Sequence, residues 1–344
     1  TPFLDSLAQQ GFYFTNIYSN SIHSIEGISA VTAGMPTFEK AFVQSAYSQR
    51  KLSSVANIAR KLGYQTMFAH GATNGSMNFN GFTKQIGYES YLGRTEFNDE
   101  RFYNGSWGID DEPFLQYFAK EVNKMRSPFL ATVFTLSSHG PYTVPEPYKN
   151  KFNKGDILMH NVVEYADFSL KKFFDTIKKE DWYANTIFAI ISDHTTEDYY
   201  DYYKQKIAHH RLPIILFSPN KALIPQGSSD TLGQQIDIFP TLVDLMGYQK
   251  PFRSWGRSLL SDKAGETPRA FVTHTQFYQL IQGNYIYVLD LQGEVVGVYA
   301  KEDLDLIHNL KDQITHNEEM KKGIADVRAF MQDYMDRIIH DKLE

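Results

Sequence analysis

The stretch Thr186-Ile-Phe-Ala-Ile-Ile191, closed by Ser192-Asp193-His194, decides how this chain is read. It is a strand-like apolar run that ends in a metal-binding type of dipeptide. Two further runs also lead to a histidine: Tyr64-Gln-Thr-Met-Phe-Ala69 before His70, and Phe129-Leu-Ala-Thr-Val-Phe-Thr-Leu136 before Ser137-Ser138-His139. In open α/β sheets, ligands and catalytic groups sit outside the carboxyl ends of the parallel strands. Separate strands therefore deliver polar side chains to one rim. Asp-His there offers a divalent cation one oxygen and one nitrogen. The pattern favours an enzyme over a binding module.

Working outward, residues 1–10 predict a helix, 12–18 a strand, and 24–33 a helix stopped by Gly34. Leu52, Val55, Ile58, Ala59 and Leu62 recur at helical spacing before Gly63. Residues 71–110 are rich in Gly, Asn and Ser and read as a long functional loop region. Asp111-Glu112-Pro113 starts a helix that runs to about Met125, and a long amphipathic helix covers about 158–179. Residues 212–217 form another buried strand, and Asp237 to Met246 a helix. Beyond about residue 265 the period changes to two, with strands at 269–275, 276–281, 284–290 and 294–300. A charged helix over about 317–341 closes the chain. This is an α/β chain with a mostly parallel sheet, followed by a small antiparallel subdomain.

The bulk numbers set limits. At 344 residues the chain is one large domain or about two ordinary ones. A net charge of -6 with no basic stripe argues against nucleic-acid binding. The absence of cysteine excludes disulfides and thiolate ligands. No apolar run reaches the roughly 18 residues that span a bilayer, and no signal peptide is visible. The run Tyr199-Tyr200-Asp201-Tyr202-Tyr203 reads either as an amphipathic surface near lipid or sugar or as packing plus a solvated loop. The chain opens at Thr1-Pro2, with Thr as N-cap and Pro at the first helical position. A doubly wound domain ordinarily has a strand before that helix, so the sequence is expected to be the later part of a longer chain.

Three constellations carry chemistry. Asp193-His194 reads as a pair of metal ligands, or as an Asp helix cap with an incidental histidine. Ser24 follows a strand and opens a helix, whose free amides and positive dipole end suit a phosphoryl oxygen. Beside a divalent cation its hydroxyl can be deprotonated and attack phosphorus; the alternative is a plain Ser N-cap. Ser19, Ser21 and Thr15 are rivals. His139 and His70 can each bind substrate oxygens or act as general acid for a leaving alcohol, or be loop histidines with ordinary hydrogen bonds. His209, His210 and His23 rank lower. Asp110, Asp111 and Glu112 are explained by helix capping. Trp107 and Tyr103 are candidates to line a sugar or glycerol site.

Taken together the segments resemble the phosphoglycerol transferase and lipoteichoic acid synthase branch of the sulfatase and alkaline phosphatase superfamily. The resemblance runs over nearly the whole chain. Its markers are Thr1-Pro-Phe-Leu-Asp-Ser-Leu7, Ala30-Val-Thr-Ala-Gly34, His70-Gly-Ala-Thr-Asn-Gly-Ser-Met77, Gly105 to Gln116, Phe134-Thr-Leu-Ser-Ser-His139, Ser192-Asp-His194, Gln235-Ile-Asp-Ile-Phe-Pro-Thr-Leu242 and Trp255-Gly-Arg-Ser-Leu259. It implies an alkaline-phosphatase-like catalytic domain over residues 1–262, with its first strand upstream of residue 1. Residues 263–344 would form a β-hairpin subdomain with a terminal helix.

By the resemblance, Ser24 takes the place of the family's nucleophile. Ser24, Asp193 and His194 are ligands of one divalent cation (Mn²⁺, with Mg²⁺ or Zn²⁺ as alternatives), completed by an upstream acidic residue. His139 contacts the substrate phosphate and His70 is another pocket histidine, while Trp107 stays a candidate from its loop position alone. The implied reaction moves phosphoglycerol from a phospholipid headgroup to a glycan or polyol acceptor. It takes place at the extracytoplasmic, periplasmic face of the bacterial inner membrane, on a protein anchored through a missing N-terminal segment. Two positions depart from the family pattern: Glu26 and Ser29 stand where Arg and Glu are frequent. An Arg would neutralise phosphate charge, whereas a Glu facing the pocket would repel it. A phosphodiesterase, a sulfatase and a silent glycan- or lipid-binding domain are the alternatives. The sulfatase is disfavoured by Glu26 and Ile28, where formylglycine chemistry has Pro and Arg.

Overall fold

A computed structural model describes residues 1–196, 199–261, 267–274 and 276–344. In chain order the strands are β1 (Phe12–Tyr18), β2 (Gln65–His70), β3 (Ser90–Leu92), β4 (Phe129–Phe134), β5 (Phe188–Ile191), β6 (Arg211–Phe217), β7 (Gly227–Ser229), β8 (Gly233–Gln234), β9 (Arg269–His274), β10 (Phe277–Gln282), β11 (Tyr285–Asp290) and β12 (Val295–Ala300). The α-helices are α1 (Pro2–Gln10), α2 (Ser24–Ala33), α3 (Val55–Lys61), α4 (Phe79–Gln85), α5 (Arg94–Phe97), α6 (Asp111–Val122), α7 (Leu158–Ile177), α8 (Ile238–Leu245) and α9 (Glu318–Ile339).

Among the described residues the ladders form one sheet in the order β5-β6-β1-β7, with β8 also on β1, a second in the order β3-β2-β4, and a third in the order β12-β11-β10-β9. The pairings β1–β8, β2–β3 and β2–β4 are parallel. The third sheet is antiparallel throughout. Mixed sheets with helices, then an antiparallel meander and a closing helix, fit the α/β chain with an antiparallel subdomain that the sequence predicts.

The differences are local. The region 71–110, expected to be a loop, contains α4, β3 and α5. β3 is 3 residues long and α5 is 4. Neither is long enough to display a period in sequence. β4 stops at Phe134 rather than Leu136, because Leu136 and Ser137 turn their amides to a carboxylate described below. Thr1 does not cap α1 with its side chain; its hydroxyl meets Asp5. The carboxylate of Asp167 on α7 takes the amides of Phe3 and Leu4 instead, at 3.0 and 2.8 Å. Such a cap satisfies orphan helix N–H groups and contributes about 1 kcal/mol. The expected division at 262/263, like the strand residue 275, lies outside the described residues.

The chain has two compact units. The first comprises Thr1–Tyr13, Ala56–Ile190 and Ile215–Gly227. Its core gathers Leu7, Met67, Ile109, Phe114, Phe118, Phe174, Ile215 and Phe217. The second comprises Phe14–Val55, Ile191–Ile214 and Ser228–Glu344. There α9 packs one face on the antiparallel sheet, burying Met320, Ile324, Val327, Phe330, Tyr334 and Ile338. The Phe330 ring lies 4.6 Å from that of Phe271. Gly323 lets α9 sit directly on Tyr287: a Cβ there would fall 1.9 Å from the tyrosine ring.

Candidate active site

Ser24 stands at the first position of α2, just past the end of β1, and Asp193 and His194 stand just past the end of β5. All three belong to the second unit. The Ser24 hydroxyl donates to Asp193 Oδ2 at 2.5 Å, and its oxygen lies 3.2 Å from His194 Nε2. His194 Nε2 is 3.3 Å from Asp193 Oδ2. The sequence separation from Ser24 is 169 and 170 residues. The plain N-cap alternative for Ser24 fails: His23 occupies the cap position, and the Ser24 side chain turns to Asp193. The Asp cap alternative for Asp193 fails as well, because no helix starts at Ser192–Thr195.

The orientation of His194 follows from its other nitrogen. Nδ1 lies 2.7 Å from the Thr195 carbonyl, which can only accept, so Nδ1 carries a proton and Nε2 is the nitrogen turned to Ser24 and Asp193. A backbone carbonyl orienting a ligand histidine in this way is the usual outer support of a metal site. A carboxylate oxygen, an imidazole nitrogen and a hydroxyl oxygen thus converge within 3.3 Å. The set fits part of the shell of a hard or borderline divalent cation. Among the described residues no group of three or more His, Asp or Glu is arranged for a metal, so a further ligand would have to complete the shell.

The rivals to Ser24 are engaged elsewhere. The Thr15 hydroxyl donates to the Ser229 carbonyl at 3.1 Å, and Ser19 Oγ faces His210 Nδ1 at 3.3 Å. Ser21 is buried. Burial holds His210 neutral, its pKa lowered to about 3, with His209 and His274 adding to the shift. The Glu26 carboxylate is taken up by His23 Nδ1 at 3.1 Å. Tyr199, Tyr200, Tyr202 and Tyr203 are all exposed, and Arg211 donates to the Tyr202 hydroxyl.

His70, His139 and Trp107 belong to the first unit. His70 ends β2 directly opposite Phe134, the last residue of β4. It is buried between the rings of Phe79 and Phe134. Its Nδ1 donates to the Phe134 carbonyl at 2.9 Å, and burial lowers its pKa to about 4. His70 is therefore neutral at pH 7, with Nε2 as a buried acceptor that has no hydrogen-bond partner among the described residues.

His139 is exposed. Trp107 Nε1 and His139 Nδ1 both donate to the Gly140 carbonyl, at 2.6 and 2.9 Å, and the two rings lie 4.1 Å apart. One carbonyl thus assembles the pair and leaves His139 Nε2 available.

Sequence reasoning missed Asp111. Helix capping accounts for little of it: its carboxylate accepts from Leu136 N at 2.8 Å and from Ser137 N at 3.2 Å, while Ser137 Oγ accepts from Asp111 N at 2.9 Å. This reciprocal clamp fixes the start of the turn that bears His139. Burial raises the Asp111 pKa to about 6, against those same hydrogen bonds. Next to it, burial and then the Asp111 charge raise Asp110 to about 7.

A serine, an aspartate and a histidine meeting past the strand ends of an α/β fold suit an enzyme site, and the comparisons give its class as the alkaline phosphatase superfamily. The protein-family model described as Sulfatase matches residues 1–248, and the chain belongs to that family. Lipoteichoic acid synthase 1 of Bacillus subtilis is 26% identical over 308 residues, covering 78% of this chain and 45% of that protein. A lipoteichoic acid synthase of Staphylococcus aureus is 25% identical over 286 residues, covering 76% and 44%. The chain thus spans about half the length of these curated relatives.

Among solved structures, a protein of the alkaline phosphatase superfamily from Vibrio parahaemolyticus superposes with a TM-score of 0.80 at 27% identity, covering 97% of this chain and 82% of that one. The lipoteichoic acid synthase LtaP from Listeria monocytogenes gives 0.77 at 18% identity, covering 98% and 86%, a likeness of fold. Members of this superfamily use a divalent metal.

Proposed function

We propose that this chain is the catalytic domain of a phosphoglycerol transferase that works through a covalent phospho-serine. The reading is carried by one observation, the convergence of Ser24 Oγ on Asp193 Oδ2 and His194 Nε2. Ser24 would attack the phosphorus of a phospholipid headgroup such as phosphatidylglycerol. A new Oγ–P bond forms and the bond from phosphorus to the diacylglycerol oxygen breaks. The Ser24 proton already points at Asp193 Oδ2, which marks the direction in which it leaves.

The family's divalent cation, for which we favour Mn²⁺, would be held by Asp193, His194, Ser24 and an upstream carboxylate. When bound it supplies charge compensation and a lowered hydroxyl pKa. By the family resemblance the proton for the departing diacylglycerol oxygen comes from His139, which can give one from Nε2 only as the imidazolium because the Gly140 carbonyl holds Nδ1–H, and Trp107 is a headgroup contact. A glycan or polyol hydroxyl then attacks the phospho-serine: its oxygen bonds to phosphorus as the Oγ–P bond breaks, its proton returns to the group that protonated the diacylglycerol, and Ser24 Oγ recovers the proton it gave up. The Glu26 carboxylate, paired with His23, is drawn away from the role of an unshielded charge opposing phosphate.

We place the reaction at the extracytoplasmic face of the inner membrane, with an anchor supplied from upstream; among the described residues no helix is long and apolar enough to cross a membrane. The relatives' names support this substrate class. The sulfatase alternative has Glu26 and Ile28 against it, and a silent binding domain would leave the converging triad without a purpose.

The test is Ser24→Ala, assayed on a phosphatidylglycerol analogue with Mn²⁺. Loss of a covalent nucleophile should lower turnover by about 10³-fold or more, and mass spectrometry of the wild type should find the phosphoryl group on Ser24. Full turnover by the alanine variant would refute the assignment. Product analysis with and without a glycan acceptor separates transfer from hydrolysis.

A further inference from the structure

The segment Gln234-Gln235-Ile236-Asp237, whose last three residues open a marker stretch in the sequence, is absent from the chemistry described so far. It is among the most completely buried polar segments of the second unit: Gln234 is 1% exposed and Gln235 and Asp237 are 0%. Its contacts run in two directions. On one side Asn20, in the turn between β1 and Ser24, accepts from Ile236 N at 2.9 Å and donates to Gln234 Oε1 at 2.9 Å. On the other side Gln235 Nε2 donates to the carbonyls of Ser192 and Asp193, at 3.2 and 2.8 Å. Asp237 locks the segment itself, accepting from Gln234 N at 3.0 Å and Arg257 N at 2.9 Å.

The amide of Gln235 can be oriented in only one way. Two carbonyl oxygens face it, and only an NH₂ group can donate to both. That orientation leaves Gln235 Oε1 buried with no hydrogen-bond partner among the described residues. A buried acceptor left unmade opposes folding. A side chain that served stability alone would be better replaced by an apolar one of the same length. Gln235 spends that unsatisfied acceptor on two donors to the very backbone that carries Asp193.

We propose that Gln235 is a positioning residue that sets the separation between Ser24 and the Asp193–His194 pair, acting as one hand of a clasp whose other hand is Asn20. The inference rests on the reading that these three residues hold a cation. The clasp fixes both halves of the half-shell before any ion arrives, so that binding does not have to order the 192–194 turn.

The experiment measures Mn²⁺ affinity by calorimetry and thermal stability without metal for wild type, Gln235→Met and Gln235→Glu. Methionine removes both donors and the orphan acceptor at constant length. Glutamate keeps the shape but sets a carboxylate against two carbonyls. The expected result is an Mn²⁺ Kd raised at least about tenfold in each, the scale for lost outer-shell support, with the Tm of Gln235→Met within a few degrees of wild type. Wild-type affinity in the variants would overturn the inference and reduce Gln235 to packing. Should methionine prevent folding, the glutamate variant carries the affinity test.

Hydrogen exchange on the wild type gives a second, variant-free readout. Peptides covering 192–194 and 234–237 should be equally protected with and without Mn²⁺. Protection gained only on loading would overturn the clasp. A wild type that takes up no Mn²⁺ refutes the cation reading instead; metal-free exchange then decides the clasp, which is overturned if peptides covering 192–194 exchange no faster in Gln235→Met than in wild type.

Discussion

The Ser24 region and the His139 region both put polar groups past the ends of strands, and they do so by opposite means. Around Ser24, Asp193 and His194, buried side chains fix the backbone on each side, with Asn20 and Gln235 tied to one segment. Around His139 and Trp107, both rings are exposed and depend on one shared carbonyl, with Asp111 clamping the turn from beneath. The first arrangement suits a reaction centre, where a shift of about 1 Å is costly. The second suits a substrate contact that adapts to a headgroup. His70 stands apart from both, sealed in aromatic rings with one nitrogen committed and the other unpaired.

The largest expected contrast is at His139. If it is the general acid, His139→Ala lowers turnover by about 10² to 10⁴-fold. Being exposed, it should change stability by no more than about 0.5 kcal/mol. Turnover and urea unfolding measured on one preparation check both. A large loss of stability would mean that this region is as tightly built as that around Ser24.

Gly27 probes the other side of the comparison. A Cβ there would lie 3.1 Å from the Asp193 carbonyl oxygen and 3.2 Å from Asp193 Cβ. Gly27→Ala should gain up to about 1 kcal/mol of helix propensity in α2. The added methyl presses on Asp193 and should weaken Mn²⁺ binding by roughly three- to tenfold, below the loss expected for Gln235. Calorimetry and thermal unfolding together check it. Unchanged affinity would show that the Ser24–Asp193 spacing tolerates displacement.

The smallest effect is on the pH dependence of stability. Burial lowers the pKa of His70 to about 4 from an ordinary value near 6.5. Between those values the unfolded chain binds a proton that the folded chain refuses. The histidine therefore costs no stability above about pH 6.5, and stability falls as pH drops toward 4. His210, lowered to about 3, adds to the same trend, whereas Asp110 and Asp237, raised to about 7, act in the opposite sense as pH rises. His70→Gln retains a donor for the Phe134 carbonyl and should make the slope of unfolding free energy shallower between pH 6.5 and 4. The change is at most about 1.4 kcal/mol per pH unit. Denaturant titrations across that range decide it, and an unchanged slope would mean that His70 already titrates normally.

Much of the fold was legible because periodicity and strand-end punctuation are local. β1 and α2 fall on the expected residues, and β9 to β12 within a residue or two of them. What escaped were elements too short to have a period, such as β3 and α5, and partnerships across long stretches of chain. Asp111 looked like a helix cap because capping is the local option for an acidic residue before a helix. Its actual partners lie 25 and 26 residues away. Ser19, Ser21, Thr15 and Ser24 were similar candidates by type, and only the folded chain gives each hydroxyl its partner.

The amino-acid sequence alone determined the order of strands and helices, the polar residues stationed where strands stop, and the family these belong to. Hydrophobic period and turn residues act within a few positions, and so leave a readable trace. Only the tertiary structure decided which serine meets Asp193, which nitrogen of His194 faces that pair, which nitrogen of His70 is left unpaired, and that a buried glutamine holds the 193 backbone. Hydrogen-bond satisfaction in a core is settled by whichever groups folding brings within about 3 Å, and that choice spans 169 residues between Ser24 and Asp193.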